Sequence, residues 1–220
     1  MSTSGQARDE RGGWTPRLPE GVLDRLRADP VRAPEIIALA AADRHGPTAA
    51  AWLEEMRDRY RLGPHDLAQR TKRKHANLAR LGGAATGVGG WVTVVPDLVA
   101  LAWIQSRMVF HVAGSYGFDP LHPMRPAELL VLQELYDTPE EARAALDGIG
   151  TPMASAYVGS KLAGGRERAL TTTLLRMVGK RVGGRVAGRL VPGVASVVNA
   201  VGNERETRAL ADRAITFYGG

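Results

Sequence analysis

Apolar and polar positions recur with a period near 3.6 residues along most of the chain, and the breaks between periodic stretches fall at proline and glycine. Pro34 sits where a first-turn proline is tolerated, so Glu35 to Arg44 is predicted as a short helix closed by Gly46. Pro47 then opens a second, Thr48 to Leu62, closed by Gly63-Pro64. Asp66 caps a third that runs to Leu81 and carries Arg70, Lys72, Arg73, Lys74 and Arg80, so one side of it faces solvent. Pro96-Asp97 starts a helix to about Ala113 that is apolar nearly all round, which marks it as central. Pro126 opens Ala127 to Tyr136. Thr138-Pro139-Glu140-Glu141 has the spacing of a capping box and begins the next helix, to about Leu146; Thr151-Pro152 repeats the signal. From Arg166 the pattern stays helical to Leu190, Pro192-Gly193 breaks it, and a last helix runs from about Val194 or Asn203 to Phe217. No segment combines strand alternation with hairpin turn chemistry, and no fixed period indicates a repeat. The expected class is all-α: one compact helical domain over residues 33–220 around an apolar, Gly-rich helical hairpin. It is preceded by a mobile arm over 1–32 with a brief helical hint at Val22 to Arg27.

The longest uncharged run is Leu81 to Pro96, and it contains five glycines. A spanning helix needs about 20 predominantly apolar residues, so Pro96 and Asp97 turn the reading toward a buried or interfacial hairpin. The start of the chain has no apolar run and mixes both signs of charge, so the cytoplasm is the expected address, with peripheral membrane contact open.

Composition narrows the chemistry. The 220 residues contain no cysteine, which excludes thiol catalysis and cysteine-held metal, and 44% hydrophobic residues suffice for a core without disulfides. The 29 basic against 23 acidic residues leave a net +6, which admits polyanionic partners. Aromatics at 5% and the lack of a recognisable module argue against nucleic acid.

Charge is distributed unevenly. Between residues 160 and 191, Lys161, Arg166, Arg168, Arg176, Lys180, Arg181, Arg185 and Arg189 face Glu167 alone. Between 127 and 148, Glu128, Glu134, Asp137, Glu140, Glu141 and Asp147 face Arg143 alone. Drawn as one helix, the basic segment puts Leu175, Val182, Val186 and Leu190 on one face and Gly179, Gly183 and Ala187 beside them. Arg181, Arg185 and Arg189 line up opposite. The small ridge admits close helix packing. The arginines serve either an anionic membrane surface or the upstream acidic segment and solvent.

The stretches LARLGGAATGVGGWVTVVPDLVAL, RMVFHVAGSYGFDP, and VPGVASVVNAVGN followed by ALADRAITFY resemble the EcsC protein family, a bacterial group. The likeness covers about Leu78 to Pro120 and Leu190 to Tyr218. It implies a helical, membrane-associated protein, with no established activity to carry over. This chain departs from the family pattern at Ala195, Asn199 and Glu204.

Polar residues in the apolar helix are the candidate chemistry. Asp97, Arg107 and His111 fall within one narrow arc, and a charge inside an apolar segment needs a partner. Asp97 and Arg107 lie roughly 15 Å apart along the axis, so each must find its own. Arg107, His111, Met108, Trp103 and Tyr116 are the expected ligand-facing set, and a hydrophobic small molecule or an anionic membrane surface is the expected partner. An alternative is a magnesium-dependent enzyme on an isoprenoid diphosphate. Asn203, Thr207 and position 211 have the spacing of a terpene-cyclase triad, with Asp97 nearby as a further catalytic residue. The third position is Ala211, with Asp212 one step off, and no paired-aspartate motif accompanies it; no cofactor is expected otherwise. A plain protein-interaction module is the third reading.

Overall fold

The computed structural model describes residues 18–85, 94–152, 166–179 and 194–220. Among these the chain is helical, without strands. We number the helices α1 (Val22–Ala28), α2 (Ala33–Tyr60), α3 (Pro64–Ala85), α4 (Val94–Ser115), α5 (Arg125–Leu132), α6 (Pro139–Leu146), α7 (Arg166–Met177) and α8 (Val194–Gly219), with a 3-10 turn at Pro30–Arg32.

The apolar helix is the axis of the fold. Across residues 101–115 of α4 only Arg107 falls short of full burial, and α2, α3, α7 and α8 all pack on it. Its two buried serines are accommodated by bonding back to the helix itself. Ser106 Oγ donates to the Ala102 carbonyl and Ser115 Oγ to that of His111, both at 2.8 Å, so neither hydroxyl is buried unsatisfied.

Cross-links give the directions. Lys72 pairs with Asp212, and Arg80 reaches Glu204 at 4.0 Å, so α3 and α8 are antiparallel. His65 meets Tyr116 and His75 meets His111, so α3 and α4 are antiparallel too. Gln105 meets Thr207 and Tyr116 meets Gly219, so α4 and α8 run parallel. At the start of the described chain, α1 buries Val22 and Leu26 in the same core.

Two expectations are corrected. The break at Gly46-Pro47 does not divide two helices: α2 runs unbroken from Ala33 to Tyr60 with Pro47 inside it. Thr48 Oγ1 donates to the Arg44 carbonyl (3.3 Å) and the His45 carbonyl (3.1 Å), relieving backbone disturbed by the proline. Gly46 serves a close approach instead of a turn, because a Cβ there would stand 3.0 Å from the Pro120 carbonyl oxygen and 3.2 Å from Leu121 Cδ2. The second correction concerns the basic helix. α7 ends at Met177, and Gly179 takes φ +81° beside Glu206, so the ridge drawn through Gly179 is interrupted there. The N-cap half of the expected capping box is present, with the Glu141 amide donating to Thr138 Oγ1 at 3.3 Å.

Candidate functional site: a buried imidazole cluster

Three helices bring polar side chains together inside the apolar core. From α4 come Trp103, Arg107 and His111, spaced four residues apart and so in line on one face. From α2 come His45 and Trp52, and from α3 come His75 and Thr71. The rings contact one another: His45 lies 4.5 Å from Trp103, Trp52 lies 4.9 Å from His111, and His75 lies 5.6 Å from His111, centroid to centroid. All three histidines are buried.

The hydrogen bonds set the tautomers. His75 Nδ1 is 2.9 Å from the Thr71 carbonyl oxygen, and His111 Nδ1 is 2.8 Å from that of Arg107. A carbonyl only accepts, so Nδ1 carries the hydrogen in both rings and Nε2 of the neutral imidazole presents a lone pair. Among the described residues Nε2 of His45, His75 and His111 has no hydrogen-bond partner. A buried acceptor without a donor costs about 1–3 kcal/mol, which marks Nε2 of His75 and His111 as groups waiting for one; at His45 no hydrogen bond fixes which nitrogen carries the hydrogen.

Electrostatics keeps the rings neutral. Burial, followed by the charge of Arg107, pushes His45 down to about 3. Burial also brings His75 to about 3, with the Thr71 carbonyl opposing it and Arg107 and Lys74 adding to it. His111 is held well below the ordinary range by burial, then by His75 and Arg107. Burial and then Arg44 lower Arg107 itself. The charges bearing on the rings are thus cationic, and the site combines lone pairs with positive potential between two indoles.

The other candidate residues lie elsewhere. Met108 is fully buried in the hydrophobic core. Tyr116 sits at the far end of α4, where its hydroxyl and His65 Nδ1 are 3.0 Å apart. Asn203 and Thr207 are buried on α8, and Gln105 Nε2 donates to Thr207 Oγ1 at 3.4 Å. Asp97 lies in the first turn of α4, and the parallel register puts it about one helical turn below the level of Asn203. Ala211 is fully buried and offers no ligand oxygen at the third position of the triad spacing, and Asp212 beside it pairs with Lys72. No group of three or more His, Asp or Glu among the described residues could hold a metal ion. Arg181, Arg185 and Arg189 lie outside the described residues, as does most of the Gly82 to Pro96 stretch. Among the described residues no helix is long and apolar enough to cross a membrane.

Sequence reasoning found Trp103, Arg107 and His111 and missed His45, His75 and Trp52. A signal for two of them was present. His45 shares its helical face with Ala38, Ala41 and Ala49, and His75 shares its own with Thr71, Ala68 and Ala79, so each imidazole interrupts a stripe of small residues.

Residues 44–219 match the EcsC protein family. No curated protein and no solved structure matches the chain.

Proposed function

The chain belongs to the EcsC protein family, and from that membership and the buried imidazole cluster we propose that it works at a membrane surface and holds a lipid-like molecule with a small acidic head. The observation carrying this reading is the pair of buried acceptor Nε2 atoms of His75 and His111 without donors, beside the unpartnered Nε2 of His45 and set among cations and indoles. An acidic head supplies what the cluster lacks. Its O–H donates to an imidazole lone pair, its negative charge faces Arg107 and Arg44, and its apolar tail lies against the aliphatic and aromatic residues of α2 and α4. On this reading Arg181, Arg185 and Arg189, which the sequence leaves open between a membrane surface and a solvated or acid-paired face, supply the electrostatic contact with the membrane. The isoprenoid-diphosphate reading draws no support from a triad whose third member is the buried methyl of Ala211.

Native mass spectrometry of the purified full chain, followed by solvent extraction, tests the proposal. We expect a bound acidic amphiphile, and retention of added dodecyl phosphate that falls about tenfold or more in His111→Phe, as loss of a hydrogen bond to a charged group implies. A wild-type chain that carries nothing and retains no dodecyl phosphate overturns it.

A further inference from the structure

The sequence expects α3 to turn one charged side to solvent, and the structure resolves which of its cations do so. Lys72 is turned inward, with 16% of its side chain exposed, and pairs with Asp212. Arg70, Arg73, Lys74, Asn77, Arg80 and Leu81 are exposed. At 100° per residue these six occupy an arc of about 120°, so they form a single outward face. Beyond Asp66 in its first turn, α3 contains no acidic residue. Arg80 keeps 56% of its side chain exposed while reaching Glu204 at 4.0 Å, a distance at which an exposed pair holds the guanidinium only loosely.

The face ends in an apolar residue. Leu81 is 62% exposed, among the most exposed large hydrophobic side chains of the described chain. The sequence continues from it through the uncharged run to Pro96, which contains Trp91, the residue type favoured at membrane interfaces. A basic face that runs out into exposed leucine matches an anionic bilayer, which presents negative headgroups above hydrocarbon. It is a poorer match to a single-stranded nucleic acid, because the six positions include no aromatic side chain on which a base could stack.

We propose that the exposed face of α3, through Arg73, Lys74, Arg80 and Leu81, docks the protein on an anionic lipid bilayer. The proposal rests on the reading that the chain works at a membrane, and it moves the contact from the arginines beyond Gly179 to a helix of the bundle itself. The cations lie against headgroup phosphates, and Leu81 enters the interface.

Flotation of the full chain with vesicles of phosphatidylglycerol and phosphatidylcholine in equal parts tests it, with pure phosphatidylcholine as the reference. Wild type is expected to float with the anionic vesicles only, and less as salt rises. Arg73→Glu/Arg80→Glu should lower the bound fraction about tenfold or more, since each cation near such a surface contributes separately. Arg73→Lys/Arg80→Lys should keep it, and Leu81→Asp, at an exposed position where folding is not at stake, should lower it severalfold. Unchanged flotation of both Arg73→Glu/Arg80→Glu and Leu81→Asp overturns the inference while leaving the membrane reading standing. Loss of flotation only on charge reversal of Arg181, Arg185 and Arg189 returns the contact to those residues and overturns it as well. A wild type that ignores anionic vesicles, or binds double-stranded DNA in their place, overturns both.

Discussion

A histidine inside an apolar bundle must satisfy two ring nitrogens, and in His75 and His111 each Nδ1 finds a carbonyl four residues back. The other nitrogen carries a pH dependence. In the folded chain His45 and His75 titrate near 3, held there by burial with Arg107 on α4, Arg44 on α2 and Lys74 on α3 among the charges around them. The unfolded chain takes up these protons first as pH falls, so the stability tied to the rings is complete above the ordinary histidine value and shrinks below it. At about pH 5 each ring costs roughly 2 kcal/mol. Urea unfolding midpoints should drop steeply between neutral pH and about pH 5, and His75→Asn should flatten part of that drop. The asparagine retains a donor for the Thr71 carbonyl and does not titrate. Equal acid dependence in wild type and variant would show that His75 is not among the groups responsible. At this scale the sequence is legible where a polar residue interrupts a long apolar run, as His111 does. It is less legible where the interrupted stripe is alanine, as around His45.

Among the elements, helices were readable wherever their ends coincide with caps or with a change of face, and misread where glycine and proline do another job. Thr138 caps α6 as its spacing requires. Gly46-Pro47 carries every local sign of a turn, yet the reason for that glycine is Pro120, which comes from far along the chain and leaves no local trace. Gly114 in α4 is a second such contact. A Cβ there would lie 2.1 Å from Leu53 Cδ1 and 3.2 Å from both Leu53 Cγ and Pro120 Cγ, so this glycine sets how closely α2 and α4 cross. Gly202 in α8 has nothing within 4 Å of the same position. The two should respond oppositely to alanine. Gly202→Ala gains the helix preference alone, about 1 kcal/mol. Gly114→Ala must displace the buried Leu53 and should lose about 1–2 kcal/mol after that gain is subtracted. Thermal melts of the two variants check the opposite signs, and a stabilised Gly114→Ala would mean that the crossing is looser than its contacts imply.

For the molecule as a whole, the central apolar helix was evident from its composition, whereas the arrangement around it depends on pairings between residues far apart in sequence. The acidic stretch 127–148 is an example. Its described partners are nearby or C-terminal: Glu128 pairs with Arg125, Asp147 with Arg143, and Glu134 lies 3.7 Å from Arg213. The first of these fastens the end of α8. Tyr218 donates to Glu128 Oε2 at 2.6 Å, while the Arg125 guanidinium lies 5.3 Å from the Phe118 ring centroid and 5.5 Å from that of Tyr218. Burial and the neighbouring carboxylate push the Tyr218 phenol well above its ordinary value, so it remains a donor throughout the accessible pH range. Arg125 keeps only 8% of its side chain exposed, and removing its carboxylate would strand a buried charge. Glu128→Ala should therefore destabilise the fold by about 3 kcal/mol, and Tyr218→Phe, which removes one hydroxyl, by about 1 kcal/mol. Because both act on the same oxygen, the double variant should lose clearly less than the two added together. Denaturant unfolding of the four proteins measures that coupling, and strict additivity would mean that the phenol and the ion pair hold α8 independently.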